Sequence, residues 1–340
     1  MTMAFPLHLP LLTVFLIISC EGSFYNDKDI LNPDSIKADW MKTLDKSKSL
    51  AAVTIPGTCD SMSPSHQAWS LEHQLNAGVR YFEINVKSPL IFNRKKIEFG
   101  NKPMDEVLNI LNVFLTKNPS EIVLLKLNLD WLNKKTIAKN LSKALKKVKN
   151  LWLKDNVPCV GDAKGKIIIL RSSTFEKGVF NQNASKKKDK KFKTTNGQVE
   201  VIMKRLKTAE PLCTQKTLVI TDGSASAFLT KKGKSVAKEV NPNLCLAFES
   251  LLNGKSKPAC LGVIATDFPG PKLIDTIIKF NGAGAGEGAG AGAGEGAGAG
   301  AGEGAGAGAG EGAGAAEGAG AEAGEGAAKG AGEGDAGESS

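Results

Sequence analysis

Between residues 39 and 280 the chain alternates nearly unbroken apolar runs with stretches whose apolar residues recur every three or four positions. The first kind predicts strands buried on both faces, the second amphipathic helices. Residues 39–44 read as a short helix with Trp40, Met41 and Leu44 on one face. Residues 50–55 read as a buried strand stopped by Pro56 and Gly57. A helix over 69–76 ends at Gly78 as its C′ residue, and a β-branched and aromatic strand follows over 79–86. Val107, Leu108, Leu111 and Leu115 mark a helix over 104–115, with Asp105 and Glu106 in its first turn. Asn118-Pro119-Ser120 breaks it, and a strand over 122–129 follows with almost no polar interruption. Then come a basic amphipathic helix over 135–148 and a strand over 166–170. The remainder predicts a helix at 201–206, a strand at 217–221, helical pieces at 236–239 and 244–252, a strand at 261–267 and a last helix at 272–280.

Strands alternating with helices predict a parallel sheet. Not all 340 residues are available to it. Residues 1–22 read as a secretory signal: 9–18 is an apolar run too short to span a bilayer, and Cys20 and Gly22 are small enough for cleavage after Gly22. This segment carries no Lys or Arg, and its alternative is a buried N-terminal helix. From Asn281 the composition collapses to Gly, Ala and Glu. Residues 23–280 remain, near the ~250 typical of a (β/α)8 barrel. The expected fold is therefore α/β, a TIM-type barrel in preference to an open doubly wound sheet. Barrels place active sites at the C-terminal ends of their strands. Cys59, Asp60, Asn85 and Asp267 fall at or near such ends.

Charge sharpens the division. The tail after Phe280 holds ten acidic residues and one lysine, a net −9, so the rest carries +18 of a chain total of +9. A body that basic attracts anionic surfaces: lipid headgroups or sulfated glycans, with nucleic acid excluded by a secreted route. Residues 185–193, rich in lysine, read as a solvated insertion or as a clamp for such a surface. In the tail, Glu287, Glu295, Glu303 and Glu311 recur every eight residues within Gly-Ala repeats. The pattern resembles the crystalline repeat of silk fibroin with Glu in place of Ser. Like charges oppose stacking, so the tail is expected to be disordered, with a fibre-forming segment as the alternative. Five cysteines remain after cleavage (Cys59, Cys159, Cys213, Cys245, Cys260), enough for at most two bridges whose pairing stays open. Asn140 and Asn183 head possible glycosylation sequons.

The candidate chemistry begins at Thr54-Ile55-Pro56-Gly57-Thr58-Cys59-Asp60-Ser61-Met62. This stretch resembles the Pro-Gly-Thr-His-Asp signature of phosphatidylinositol-specific phospholipase C X domains, with Cys59 at the histidine position. Residues 69–84, Asn118-Pro119-Ser120-Glu121 with 122–127, and Gly262 to Phe268 are similar to further blocks of that family. The likeness covers roughly 49–280 and implies a distorted barrel. The family cleaves the glycerol–phosphate bond of phosphatidylinositol by attack of the inositol 2-hydroxyl on phosphorus. It uses two histidines as base and acid, an arginine as cation and aspartates that orient the histidines.

Carried over residue by residue, the resemblance implies a depleted site. Cys59 stands at the base position, beside a retained Asp60. Glu83 and Asn85 stand at the Asp-x-Arg pair, so a carboxylate remains and the cation is gone. Glu98-Phe99-Gly100 places Phe99 at the acid position, and Asp267 matches the carboxylate that supports the base. A thiol with a pKa near ~8.5 is a poor base for an alcohol, and phenylalanine has no proton to give. Loss of an acid–base partner costs about 10²–10⁴ in rate. The mature chain keeps two histidines, His66 and His73; His66 lies in the loop after the signature and could swing toward the site, while His73 reads as a surface residue of the 69–76 helix.

The expectation is a secreted pseudoenzyme that binds phosphatidylinositol or other anionic headgroups through Asp60, Asn85 and Lys87, in peripheral contact with a membrane at most. No acidic ligand cluster is evident, and neither a metal nor a cofactor is expected. The alternatives are a residual phosphodiesterase with altered acid and base groups, and a structural extracellular protein whose tail is the functional part.

Overall fold

The computed structural model describes residues 24–88, 96–184, 194–224, 233–255 and 257–282. Residues 1–22, expected to be a signal, the lysine-rich stretch at 185–193 and the Gly-Ala-Glu tail beyond Gly282 lie outside them. The chain divides into two units, Met1–Gly292 and Ala293–Ser340, and only the first contains described residues.

The strands and helices are β1 Ile55–Thr58, α1 Leu71–Asn76, β2 Tyr81–Lys87, β3 Glu98–Phe99, β4 Lys102–Pro103, α2 Met104–Lys117, β5 Val123–Leu129, α3 Lys134–Leu145, β6 Leu151–Trp152, α4 Val160–Ala163, β7 Ile167–Leu170, β8 Asn181–Asn183, α5 Thr195–Thr214, β9 Leu218–Asp222, α6 Gly233–Asn253, β10 Val263–Thr266 and α7 Pro271–Ile278. The sheet order is β6-β7-β5-β2-β1-β10-β9-β8, with β3 and β4 as an antiparallel extension of β2. Every other pairing is parallel. A bridge from Leu170 to Val179, just before β8, joins β7 back towards β9. The result is the curled parallel sheet of a distorted (β/α) barrel, as expected.

β1, β7 and β10 are buried along their whole length, and β7 and β10 accordingly appear in the sequence as apolar runs without alternation. One core fills the barrel with Tyr81, Leu124, Ile168 and their neighbours. A second lies between β10 and the helices α5, α6 and α7, built on Ile202, Leu244, Phe248, Ile264 and Ile277.

Three expectations need correction. Residues 50–52 form a 3-10 turn and the strand starts at Ile55, so it contains Pro56 and Gly57 instead of ending before them. Proline is tolerated because Ile55 and Cys59 make the N–H bonds to the β10 side, while Pro56 faces β2 before that pairing begins at Gly57. Gly57 is required: a Cβ there would stand 2.6 Å from the Tyr81 ring. The helical pieces at 236–239 and 244–252 are one helix that runs through Pro242. The helix expected at 201–206 extends over Thr195–Thr214, capped by Thr194.

Of the five cysteines, Cys213 and Cys260 are bridged across 47 residues, which ties the end of α5 to the approach of β10. Cys59, Cys159 and Cys245 are free. Closing a loop of that length stabilises by about 4 kcal/mol in the chain-entropy view. Cys213→Ser with Cys260→Ser should lower the denaturant midpoint accordingly, measured by chemical unfolding under non-reducing conditions.

Candidate functional site

The C-terminal ends of β1, β2, β5, β9 and β10 deliver the candidate residues to one mouth of the barrel. The turn after β1 is pinned to β2: Ser61 N–H donates to the Glu83 carbonyl at 2.8 Å, and Glu83 N–H donates to Ser61 Oγ at 2.9 Å. Within that turn Asp60 adopts φ 42°, a left-handed conformation that aspartate tolerates better than most residues. Its Oδ1 accepts from Asn85 Nδ2 at 2.8 Å. Asn85 is thus held beside Asp60 as a neutral amide.

Cys59 is buried, with Sγ 3.5 Å from Asp222 Oδ1. Burial pushes its thiol well up, and the carboxylates of Asp222, Asp267 and Glu83 push it further. The thiol stays protonated at neutral pH and takes no proton from a ligand. Phe99 is fully buried on β3, opposite Val86, and belongs to the main core.

Glu83 is the hub of a second group. It accepts from Asn128 Nδ2 at 2.6 Å and from the Tyr81 hydroxyl at 3.2 Å, with Lys126 Nζ 3.9 Å away. Glu83, Lys126, Asn128 and Arg171 line an open cleft of 730 Å³ floored by Ser172 and Thr174. Lys87 shares the strand face of Glu83 and Asn85, exposed at the end of β2. A larger groove of 1030 Å³ lies between α2 and α3, where Asn109 and Lys143 line it away from the strand ends.

His66 also arrives here. Its Nδ1 lies 3.0 Å from Asp267 Oδ1 and its Nε2 lies 3.8 Å from Asp60 Oδ2. The hydrogen bond to Asp267 raises the imidazole pKa above its ordinary value; partial burial opposes this, and the charges of Asp267, Asp60 and Asp222 add to it. A raised folded-state pKa means that this pairing adds stability below the ordinary imidazole value, and loses it as pH rises through the folded value. His73 instead bonds Asp29 at 2.8 Å on the exposed side of α1.

Comparison with known proteins follows the same line. No protein-family model matches the chain. A 1-phosphatidylinositol phosphodiesterase of Listeria monocytogenes is 25% identical over an alignment of 285 residues that covers 75% of this chain and 88% of that protein. The solved phosphatidylinositol-specific phospholipase C of Listeria monocytogenes matches with TM-score 0.58 at 25% identity, covering 73% of this chain and 99% of that one. The chain is homologous to bacterial phosphatidylinositol-specific phospholipase C. A phosphatidylinositol-specific phospholipase C of Staphylococcus aureus, 17% identical with TM-score 0.57 over 72% of this chain and 99% of that one, shares the fold.

In this phospholipase C-like chain the structure gathers Cys59, Asp60, Glu83, Asn85 and Asp267 at one mouth, and seals Phe99 beneath it. Sequence reading missed Lys126, Asn128, Arg171 and Asp222. A signal was present: Lys126 and Asn128 are the two polar residues of β5, spaced by two near its C-terminal end, so both face one side. Arg171 directly follows β7 and Asp222 ends β9, the positions a barrel reserves for function.

Proposed function

We propose that this phospholipase C-like protein is secreted, binds the inositol-phosphate headgroup of phosphatidylinositol in anionic membranes, and has lost the family's efficient cleavage. The observation that carries this reading is the contrast within one mouth. The cleft keeps cations and hydroxyl partners in Lys126, Arg171, Glu83 and Asn128, while the acid position is the buried Phe99 and the cation position is an asparagine bonded to Asp60.

Lys126 and Arg171 offer charge-assisted bonds to a phosphate, and Glu83, Asn128 and Asp60 accept from or donate to the hydroxyls of a polyol. Asn85 and Lys87 extend the same strand face. The relatives' names speak of phosphatidylinositol, so the lipid headgroup is proposed as ligand in preference to a sulfated glycan. Exposed apolar residues sit on the same rim: Trp131, 80% exposed, and Leu132 follow β5, and Phe180 lines the cleft. Lys134 and Lys135 adjoin them at the start of α3. An aromatic and a leucine flanked by lysines suit the interface of an anionic bilayer. No helix among the described residues is long and apolar enough to cross a membrane. The Cys213–Cys260 bridge supports an oxidising, extracellular location.

Vesicle sedimentation of the full chain tests this. Vesicles containing phosphatidylinositol should bind more tightly than phosphatidylserine vesicles of equal charge. Lys126→Ala with Arg171→Ala should erase that preference, while Trp131→Ala weakens binding to both about tenfold, as loss of one buried aromatic does. Equal binding to both lipids by the native chain would sink the proposal.

A further inference from the structure

We infer that His66 has taken over, from another place in the chain, the proton-accepting role vacated at Cys59, and that the site therefore cleaves inositol phosphodiesters whose leaving group needs no acid. The inference rests on the headgroup-binding reading and goes beyond it.

The placement is specific. Asp267, at the end of β10, is engaged by His66 with Nδ1 at 3.0 Å, while the Cys59 thiol turns to Asp222 at 3.5 Å. A carboxylate only accepts, so Nδ1 carries the proton and Nε2 keeps the lone pair. Nε2 stands 3.8 Å from Asp60 Oδ2, at the barrel mouth and partly open to solvent. The backbone fixes the ring's position. His66 N–H donates to the Ser63 carbonyl and the His66 carbonyl accepts from Phe268 N–H, both at 2.9 Å. The next side chain, buried Gln67, donates to the carbonyls of Cys59 at 2.8 Å and Thr266 at 3.1 Å. The loop is thereby bound to β1 and β10 at once, and the histidine is built into the site.

A base without an acid restricts the chemistry. In the step inferred, Nε2 removes the proton of the inositol 2-hydroxyl while that oxygen attacks phosphorus. The bond from phosphorus to the leaving oxygen breaks, and its electron pair departs with that oxygen. The imidazolium, stabilised by Asp267, then returns its proton to water. The products are a cyclic inositol phosphate and a free oxyanion. An aryl oxyanion is stable enough to leave this way; the glycerol oxygen of a lipid is not, because Phe99 has no proton to supply. Asp267, Asp60 and Asp222, from the ends of β10, β1 and β9, are the carboxylates that face the ring and favour its protonated form.

The test uses the full chain with 4-nitrophenyl myo-inositol 1-phosphate, read as nitrophenolate release beside binding of inositol 1-phosphate. Release should exceed the buffer rate and fall about 10²–10⁴-fold in His66→Ala, with partial rescue by added imidazole. A base works when deprotonated, so the rate should rise with pH to a plateau, with its midpoint above the ordinary imidazole value. Asp267→Asn should move that midpoint to lower pH, an effect that loss of folding does not mimic. If inositol 1-phosphate binds but release matches buffer, or if His66→Ala is as fast as the native chain, the inference is overturned and the binding proposal stands. If inositol 1-phosphate does not bind, the binding proposal fails and takes the inference with it.

Discussion

Arg80→Ala should cost the barrel about 3–5 kcal/mol, the size expected when one partner of a buried ion pair is removed. Such a loss is a large part of the ~5–15 kcal/mol by which domains are stable. Arg80 and Glu121 have no exposed side-chain surface, and their Nη2 and Oε2 atoms are 2.8 Å apart. The guanidinium also donates to the carbonyls of Leu75 at 2.7 Å, Val79 at 2.9 Å and Ala38 at 2.8 Å, and lies 4.7 Å from the centre of the Phe114 ring. Glu121 in turn accepts from Met41 N–H at 3.1 Å. Burial pushes the arginine pKa down and the glutamate pKa up, and each group's charge counters the shift of the other. Removing Arg80 leaves a buried carboxylate and several buried carbonyls without partners. Arg80→Met with Glu121→Met should recover only part of the loss, because those carbonyls stay unpaired. Chemical denaturation of the three proteins measures this; a double variant as stable as the native chain would show that the backbone bonds contribute nothing.

How far the sequence reveals this molecule varies with the physics of each element. Strands rich in apolar, β-branched and aromatic residues announce themselves, so β2, β5, β7, β9 and β10 emerge from the sequence within a residue or two. β1 is misplaced because its sequence contains proline and glycine, and only the neighbouring strands show why both fit. The short β3, β4, β6 and β8 carry too few residues for a period to appear. Pro242 splits one long helix in the sequence but not in space. At the site, Asp60, Glu83, Asn85 and Asp267 are legible through the resemblance to the phospholipase C family. His66 is legible only as a histidine in a loop that could swing toward the site; its contact with Asp267 spans 201 positions and no local pattern encodes it. Lys126 and Asn128 were visible as polar breaks in β5, yet their meaning depends on Glu83 across the pairing of β2 with β5.

Phosphatidylinositol cleavage should stay at background in the native chain and should not be restored by Cys59→His alone. A new imidazole at position 59 would find Asp267 already engaged by His66. On the reading proposed above, the acid position is held by the buried Phe99 and the cation position by Asn85, which is committed to Asp60. Loss of the acid alone costs about 10²–10⁴ in rate, and the absent cation removes the charge that would stabilise the phosphorane. These losses need not add, but neither is repaired by supplying a base. The contrast with the aryl substrate is the point: a base suffices for a leaving group that departs as a stable anion, and fails for glycerol.

The account is tested most directly by phosphorus NMR of phosphatidylinositol vesicles incubated with the full chain. The expected spectrum shows no cyclic inositol phosphate above the protein-free control while the vesicles still bind the protein. Release of cyclic inositol phosphate that disappears in Asp60→Ala would contradict it.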